Sequence, residues 1–312
     1  MGDKGLVVHL PEAWLADRTQ MLPFYHKLFE GLDRLGVDWA AERIDREAAL
    51  ARIERDGKFH IFNHGRVVHP RALNAGVAYI YPFWNLDPQG IRAFSSIGAA
   101  PFRAHTVDAD KARAFLGKLR ARWVDERASR YEQPDSREDL PEGAVAVFFQ
   151  SEAHRGVGET CHMDRWAMLD AVLKGWDGPV IVKPHPREMD EAMFARLLEV
   201  QAREARLVIS QGNIHDILEV AARVVTINSA VGIEAYLHRK PVILCGQADF
   251  HHIADVARSP QEVVDLLEAP PRGRVYAKYL YWYFRKRCVD VGRADVATQV
   301  LRKIALTGYA ME

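Results

Sequence analysis

The sequence predicts an α/β protein made of two Rossmann-like domains that face a central cleft. Short runs of β-branched residues, each suited to a buried strand, alternate with helix-length amphipathic segments along most of the chain. The length of 312 residues exceeds the usual size of one domain, which favours two. Residues 130–143 are charged, contain two prolines and lack apolar periodicity, so they mark the predicted domain boundary.

The elements of the N-terminal half follow from its apolar runs and their flanking residues. The predicted strands are Leu6–Leu10, Val37–Ile44, Phe59–Phe62 and Val77–Tyr81, and the predicted helices are Met21–Leu35 and Asp45–Arg55. Gly36 is a suitable stop for the first of these helices. The aromatic segment Pro82–Pro88 is predicted to be a loop. Asp108 can cap a long helix that extends to Ala128.

The C-terminal half shows the same alternation, with strands that are almost entirely apolar. The predicted strands are Ala144–Phe149, Val180–Val182, Val224–Ile227 and Val242–Leu244, and the predicted helices are Met163–Leu173, Gln261–Leu267, Val275–Cys288 and Arg293–Ile304. We therefore expect an N-terminal α/β domain over residues 1–142, a second one over residues 143–270, and C-terminal helices over residues 271–312 that pack across both. This layout is typical of the GT-B architecture, which also serves other two-domain enzymes.

Composition restricts the classes of function. The formal net charge is zero, which argues against a nucleic-acid partner held by a broad basic field. The cysteines are three in number and lack metal-ligand spacing, which favours a reducing, cytoplasmic setting. The N-terminus has no signal-peptide pattern, and no apolar run approaches transmembrane length. We expect a soluble cytoplasmic protein, with peripheral contact to the inner membrane as a further option.

A proline-braced motif follows the predicted strand Val180–Val182. Lys183, His185 and Arg187 place three potential cations within five residues at a strand end, a pattern that suits a phosphate-bearing ligand. Pro184 and Pro186 keep this segment extended and fix the direction of the imidazole. A rigid exposed loop with solvated charges is the alternative. Ligands of open α/β sheets bind beyond the carboxyl ends of the strands, which favours the functional interpretation.

A second polar group follows the strand Val224–Ile227. Asn228 and Ser229 precede a helix predicted to begin near Ala230, and the unpaired N–H groups of a first helical turn can hold a phosphate or carboxylate. Gly232 allows close approach of a ligand or a neighbouring strand, and Glu234 can accept hydrogen bonds from ribose hydroxyls. An ordinary N-cap and a carboxylate that complements the helix dipole are the alternatives.

Four further observations belong together: the segments Lys183–Pro186, Asn213–Asp216, Val224–Leu237 and Lys240–Ile243. As a set they resemble the bacterial capsule polysaccharide biosynthesis family, the KpsC- and KpsS-type transferases of Kdo (3-deoxy-D-manno-oct-2-ulosonic acid). The resemblance covers roughly Ala144 to Gly246 and is weak over the N-terminal half. It implies a GT-B fold, CMP-β-Kdo as donor without a metal, and transfer with retention that builds β-Kdo linkers on a phospholipid. The N-terminal domain would then bind the acceptor and the second domain the nucleotide sugar.

The resemblance also implies roles for individual residues. His185 would contact the CMP phosphate, and Ser229 with the following helix N-terminus would help to hold it. The residues assigned to the donor site are Lys183, His185, Pro186, Arg187, Asn228, Ser229, Gly232, Glu234, His215 and Gln150. No cofactor is expected beyond the CMP-sugar donor itself.

A retaining double displacement needs a carboxylate nucleophile opposite the leaving CMP. The loop after Ala144–Phe149 is the natural place, because it leaves the carboxyl end of the neighbouring strand. Family members carry a Gln followed shortly by an Asp, whereas here Gln150 is followed by Glu152 and position 154 is a histidine. We rank Glu152 first as nucleophile and Asp164 second. A solvated loop charge and a helix start are the respective alternatives.

Other polar groups are weaker candidates. His64 follows a predicted strand and can act as acid/base or acceptor ligand near neutral pH, with a polar turn as the alternative. The turn Ser95–Gly98 is a second candidate anion site. His251, His252 and Asp255 lack the further ligands that a metal site needs.

The segment Val275–Cys288 combines several aromatic residues with the basic run Arg285–Arg287, a composition that suits a membrane interface. We favour a terminal helix with its aromatic residues in the core.

Together with these observations, the resemblance implies a metal-independent glycosyltransferase of capsule or surface-polysaccharide synthesis. Its expected partners are a nucleotide-sugar donor and a glycan or lipid-linked acceptor, at the inner face of the cytoplasmic membrane for a lipid-linked one. A sugar-nucleotide epimerase or hydrolase on the same scaffold is one alternative. A non-catalytic glycan- or phospholipid-binding component of a capsule assembly complex is another.

Overall fold

The computed structural model describes residues 4–150 and 158–311. These residues form two compact units. The first unit comprises the described residues up to Pro101 together with those from Trp282 onward, and the second unit is Phe102–Tyr281.

The secondary structure alternates between strands and helices in both units. The strands are β1 (Leu6–Leu10), β2 (Trp39–Arg43), β3 (Phe59–Asn63), β4 (Ala72–Val77), β5 (Phe83–Asp87), β6 (Ala144–Phe148), β7 (Val180–Lys183), β8 (Leu207–Ile209), β9 (Ala221–Thr226), β10 (Val242–Leu244), β11 (Asp255–Val256) and β12 (Val289–Asp290). The helices are α1 (Glu12–Ala16), α2 (Pro23–Leu35), α3 (Ala49–Glu54), α4 (Ala109–Arg120), α5 (Arg165–Gly175), α6 (Glu191–Arg203), α7 (Ile214–Val220), α8 (Val231–Leu237), α9 (Pro260–Glu268), α10 (Tyr276–Tyr281) and α11 (Val296–Ala305). Residues 121–125 and 282–287 are π-helical turns that extend α4 and α10.

The first unit contains a sheet in the order β12-β5-β4-β3-β1-β2, in which β1 to β4 run parallel. The helix α2 ends as predicted at Gly36, whose left-handed backbone (φ 66°) suits glycine. The predicted strand Val77–Tyr81 is wrong, because β4 ends at Val77, and the predicted loop Pro82–Pro88 contains β5.

The polar residues of β5 explain why this strand was difficult to predict. Trp84 and Leu86 are buried in the core, and the polar residues between and after them are buried too. Asn85 accepts a hydrogen bond from the backbone of Arg92, and Asp87 accepts three from Ser95 and Ser96. Partners later in the chain therefore satisfy a strand whose composition resembles that of a loop.

The second unit contains a fully parallel sheet in the order β11-β10-β9-β6-β7-β8. The first strand of this sheet along the chain is β6, which lies in its middle. The next two strands, β7 and β8, are added on one side of β6, and β9, β10 and β11 are then added on the other side. The strand order thus reverses between β6 and β9. In doubly wound sheets a ligand binds in the crevice beyond the carboxyl ends of the strands at this point.

The predicted divisions of the chain were residues 1–142, 143–270 and 271–312. The boundaries of the two compact units lie elsewhere, after Pro101 and after Tyr281. Residues 102–143 belong to the second unit, because α4 packs against α10 and Phe115 meets the ring of Tyr281 edge-on at 5.7 Å. The charged segment predicted as a linker is bonded to the same unit through several of its residues. The C-terminal block is divided, with α10 in the second unit and α11 in the first.

Candidate functional site

Three polar residues stand at the same height beyond the parallel strands of the second unit. Phe148 of β6 is paired with Lys183 of β7 on one side and with Thr226 of β9 on the other. Gln150, His185 and Asn228 each lie two residues beyond this common level. The register therefore brings the end of β6 and the two predicted motifs to one edge, at the point where the strand order reverses.

His185 lies in a turn that its own hydrogen bonds define. Its Nδ1 accepts a hydrogen bond from the backbone of Arg187 at 3.1 Å, and its carbonyl accepts one from the backbone of Glu188 at 2.9 Å. Since Nδ1 is an acceptor here, the neutral ring carries its proton on Nε2, which can donate to a phosphate oxygen. The half-buried imidazole also meets the ring of Tyr131 edge-on at 5.2 Å.

The cations on either side of His185 have different surroundings. The guanidinium of Arg187 lies 5.0 Å from the ring centroid of Tyr131, and both Arg187 and Pro186 are exposed. Lys183 is only 5% exposed, and its ammonium donates to the carbonyl oxygens of Gln211 at 3.0 Å and Gly212 at 2.6 Å. Burial lowers the pKa of Lys183. Lys183 therefore ties the end of β7 to the turn after β8, whereas Arg187 points a charge into solvent.

A buried ion pair anchors the turn that carries His185. Arg165 and Glu188 meet at 2.9 Å with side chains only 5% and 3% exposed. The second carboxylate oxygen of Glu188 accepts from the backbone of Met189 at 3.1 Å and of Asp190 at 3.2 Å. The pair thus joins α5 to the segment after the motif. Sequence reasoning missed it, because no local signal links residues that are so far apart along the chain.

The two polar residues after β9 differ in burial: the amide of Asn228 is buried, and the hydroxyl of Ser229 belongs to a half-buried residue. Both hydrogens of the Asn228 amide are engaged, by the Thr160 hydroxyl at 2.9 Å and the carbonyl of Gln247 at 3.0 Å. Ser229 is half-buried, and α8 begins at Val231 without a side-chain cap, close to the predicted start. Asn228 therefore shapes the edge, while Ser229 is the more accessible of the two, and its hydroxyl accepts a hydrogen bond from the backbone of Val231 at 3.4 Å.

Gly232 and Glu234 of α8 face protein rather than an open pocket. A Cβ on Gly232 would lie 2.6 Å from a ring carbon of Phe250, so the glycine makes room for that ring. The Glu234 carboxylate is buried and accepts a hydrogen bond from the Ser129 hydroxyl at 2.7 Å. Burial raises the pKa of Glu234 to about 7. One oxygen of the carboxylate that was predicted to accept hydrogen bonds from ribose hydroxyls therefore already accepts a hydrogen bond from Ser129.

His215 is part of a buried histidine pair. Its Nε2 lies 2.7 Å from the carbonyl of Ala128, so Nε2–H donates there and Nδ1 accepts from Nε2 of His238 at 2.9 Å. Burial lowers the pKa of both rings, that of His238 to about 3. The pair is therefore neutral near pH 7 and joins α7 to the end of α8, which is a structural arrangement.

Residues 127–138, which we name the covering segment, make many of these contacts. Arg127 pairs with Asp216 at 2.6 Å, and the backbone of Ile214 donates to Gln133 at 3.0 Å. Side chains or carbonyls of this segment also bond Ser210, Asn213, His215 and Glu234. The covering segment, which overlaps the predicted linker, therefore lies along the carboxyl edge of the second sheet, and its Ala128 and Ser129 bond His215 and Glu234, which were assigned to the donor site.

Of the two carboxylates predicted to be catalytic, the structure describes only Asp164. Glu152 and the neighbouring His154 lie outside the described residues, so the nucleophile stays a prediction. Asp164 caps α5, and one carboxylate oxygen accepts from the backbone of Trp166 and Ala167 at 2.8 Å each. Asp164 therefore marks the start of α5, as the alternative interpretation expects, and its role as nucleophile stays a prediction.

In the first unit, His64 follows β3 and has a left-handed backbone (φ 47°) and an exposed side chain. Its backbone N–H donates to the carbonyl of Ala75 at 2.8 Å. It lies in a tight polar turn. The predicted anion-binding turn Ser95–Gly98 already holds an anion, the carboxylate of Asp87, through Ser96 Oγ at 2.6 Å and Ser95 Oγ at 3.1 Å.

The remaining candidates have structural partners. His252 lies 3.1 Å from the Tyr279 hydroxyl, and both carboxylate oxygens of Asp255 accept from Arg274 at 2.7 Å. The described part of the chain holds no group of three metal-ligating side chains.

The aromatic residues of the segment Val275–Cys288 lie largely in the interior, as we favoured. Tyr279, Trp282, Tyr283 and Phe284 are buried. Over residues 4–150 and 158–311, no helix combines the length and the apolar character needed to cross a membrane.

The two α/β units and the switch point of the parallel sheet define a GT-B-like fold, and solved structures agree with this assignment. The chain is similar to KpsC, beta Kdo 2,7 transferase, from Thermosulfurimonas dismutans, with 13% identity, 89% of each chain covered and a TM-score of 0.57. It is also similar to KpsC, beta Kdo 2,4 transferase, from that organism, with 14% identity, 88% of each chain covered and a TM-score of 0.51. At these identities the likeness establishes the fold.

The family comparison concerns a shorter segment. Residues 170–259 match the family of capsule polysaccharide biosynthesis proteins, and this range includes both predicted motifs. The match confirms the predicted resemblance to that family. A comparison of the sequence with curated proteins gave no significant match.

Proposed function

We propose that the protein is a glycosyltransferase of capsule or related surface-glycan synthesis, with a CMP-activated ulosonic acid, CMP-β-Kdo, as its donor. One observation carries the proposal. The register places His185 and the Asn228–Ser229 pair on opposite sides of β6, level with Gln150, at the switch point of a parallel sheet. This is where such sheets bind nucleotides.

The groups at this edge suit the phosphate of CMP. His185 offers a donor at Nε2, Arg187 supplies a solvent-facing guanidinium, and the Ser229 hydroxyl lies at the end of the next strand but one. Hydrogen bonds in which one partner is ionised are stronger than neutral ones. We therefore expect the leaving phosphate to be held by protein side chains, without a divalent metal.

The chemistry proposed is a retaining double displacement. The Glu152 carboxylate attacks the anomeric carbon of the ulosonic acid, and the bond from that carbon to the phosphate oxygen breaks with its electron pair leaving on CMP. An acceptor hydroxyl then attacks the same carbon and displaces Glu152, while its proton passes to a general base. His64 stays the candidate base from sequence. The acceptor proposed is a glycan or a lipid-linked saccharide at the cytoplasmic face of the inner membrane.

Thermal unfolding with nucleotides tests the donor site. CMP in the presence of EDTA should raise the unfolding temperature of the wild type, since a ligand at about 100 times its Kd stabilises by about 2.7 kcal/mol. The His185→Ala variant should lose this shift, whereas His105→Ala, an exposed histidine of the same unit, should keep it. Equal protection by UDP, or protection by no nucleotide, would contradict the donor assignment.

Product analysis separates transfer from the other chemistries. With CMP-Kdo and an acceptor, NMR of the product should show a β-linked Kdo. Epimerised or hydrolysed Kdo that forms without consumption of acceptor would favour the epimerase or hydrolase. Glycan binding without any nucleotide binding would favour a non-catalytic component.

A further inference from the structure

The second unit has a groove of about 670 Å³ that the proposed donor site does not use. Three stretches of chain line it: α4 with its π-helical extension, the turn after α8, and residues 274–278, which include the first turn of α10. The lining residues that carry charge are Arg113, Arg120, Asp125, Arg239, Arg274 and Lys278. We name it the basic groove. Its volume falls within the range of about 300–1,000 Å³ that is usual for small-molecule sites.

The basic groove lies at the opposite edge of the sheet from His185. Helix α8 starts at the carboxyl edge after β9 and runs back, so that Arg239 stands just before the beginning of β10 at Val242. Arg274 pairs with Asp255, the first residue of β11, which is paired with Ile243 of β10. A ligand in this groove would therefore not compete with CMP at the carboxyl edge.

The cations of the basic groove are only partly neutralised. Arg113 pairs with Asp110, and Arg274 pairs with Asp255 at 2.7 Å. Asp125 is the one carboxylate among the residues that line the groove.

The other three cations have no carboxylate partner among the described residues. Arg120 donates to the carbonyl of Leu237, and Lys278 donates to the carbonyl of Ala104 at 3.1 Å. For the exposed side chain of Arg239, the structure gives no hydrogen bond or ion pair within residues 4–150 and 158–311. Three positive charges against Asp125 leave an excess that an anionic ligand would neutralise.

The floor between these cations is apolar and open. Val275 and Ala277 contribute accessible aliphatic surface, Tyr276 contributes a half-buried ring, and Leu116 lines the groove with a side chain that is only 3% exposed. A Cβ on Gly117 would meet nothing within 4 Å, so this part of the wall is clear of other atoms. A sugar ring has apolar faces and a polar rim, which match such a floor between cationic sides.

We infer that the basic groove binds an acidic oligosaccharide, a chain of sugar rings that carries carboxylate or phosphate groups. Arginine forks bind both kinds of anion in a bidentate manner. The concave shape favours a saccharide chain over a flat membrane surface. The site is separate from the donor site and does not depend on the identity of the donor.

Isothermal titration with hexagalacturonic acid tests this site, with neutral maltohexaose as the matched ligand. The acidic hexamer should bind and the neutral one should not. Its affinity should fall at least tenfold when the salt concentration rises from about 0.05 M to about 0.5 M, because surface charges are screened. The double variant Arg239→Asn/Lys278→Gln should bind at least tenfold more weakly, since it removes two of the three cations that lack a carboxylate partner. Asn at position 239 tolerates the left-handed backbone found there (φ 57°).

The control variant is Arg203→Gln, which removes an arginine with a 77% exposed side chain from α6, outside the groove. It should bind the hexamer as the wild type does, and the unfolding temperature of the double variant without ligand should match that of the wild type, which shows that the unit is folded. Absence of hexamer binding, or equal binding by the double variant, would overturn the inference. So would binding of sodium tripolyphosphate or phosphatidylglycerol vesicles without binding of the hexamer.

Discussion

Replacement of Glu234 by Gln should change how the stability of the protein depends on pH. The Glu234 carboxyl is buried in α8, and its hydrogen-bond donor is the Ser129 hydroxyl. Burial penalises the charged form and raises the pKa from the ordinary 4.5 to about 7. Between these two values the folded state binds a proton that the unfolded state has released, so the free energy of unfolding falls as the pH rises.

The two pKa values give the size of the effect. The pKa of Glu234 is 4.5 in the unfolded chain and about 7 in the folded one. Relative to the protein with Glu234 protonated in both states, linkage predicts that the free energy of unfolding is lower by about 0.8 kcal/mol at pH 5 and by about 3.3 kcal/mol at pH 8. The wild type should therefore lose about 2.5 kcal/mol over this interval through Glu234 alone. In the Glu234→Gln variant the side chain cannot ionise, so this part of the decrease in the free energy of unfolding should be missing.

Denaturant unfolding of the full chain at about pH 5 and pH 8 measures this difference. Other titrating groups act equally in both proteins, so the comparison of their pH dependences isolates Glu234. Glu199→Gln, which changes a side chain that is 66% exposed, should follow the wild type. Ser129→Ala removes the donor that favours the ionised form and should steepen the loss. Equal pH dependence of wild type and Glu234→Gln would refute the assignment of a raised pKa to this carboxyl.

Three further substitutions test the catalytic assignment and the packing around the site. Glu152→Gln should keep CMP protection but lower the rate of transfer at least about 10³-fold, as expected for loss of a nucleophile; unchanged turnover would remove Glu152 from the mechanism. Glu188→Gln removes the carboxylate that the buried Arg165 contacts at 2.9 Å and should lower the free energy of unfolding by about 3–5 kcal/mol. The exposed Glu191→Gln should have little effect, and equal stability of the two variants would speak against the ion pair. Gly232→Ala drives a Cβ to 2.6 Å from Phe250 and should cost about 1–3 kcal/mol. Phe250→Leu in the same chain should recover part of this loss, and a neutral Gly232→Ala would show that the ring moves freely.

Local sequence signals predicted much of the fold. The apolar runs of β6, β7 and β10 and the stop of α2 at Gly36 agree with the structure, because neighbouring residues determine these features. Asp108 accepts hydrogen bonds from the first turn of α4, as its position before the helix indicated. Strand β5 was missed because its buried polar groups are satisfied by residues of a later turn.

Sequence alone placed His185 and Ser229 after two parallel strands, since a proline-braced turn and a strand-to-helix step are encoded by adjacent residues. Only the tertiary structure decided that Lys183 is bound to backbone carbonyls and that Glu234 receives the hydroxyl of Ser129. Residue type alone does not determine the protonation of these groups, because burial lowers the pKa of Lys183 and raises that of Glu234. Burial and the partners that distant parts of the chain supply are set by the tertiary structure, and together they determine whether each charge is available to a ligand.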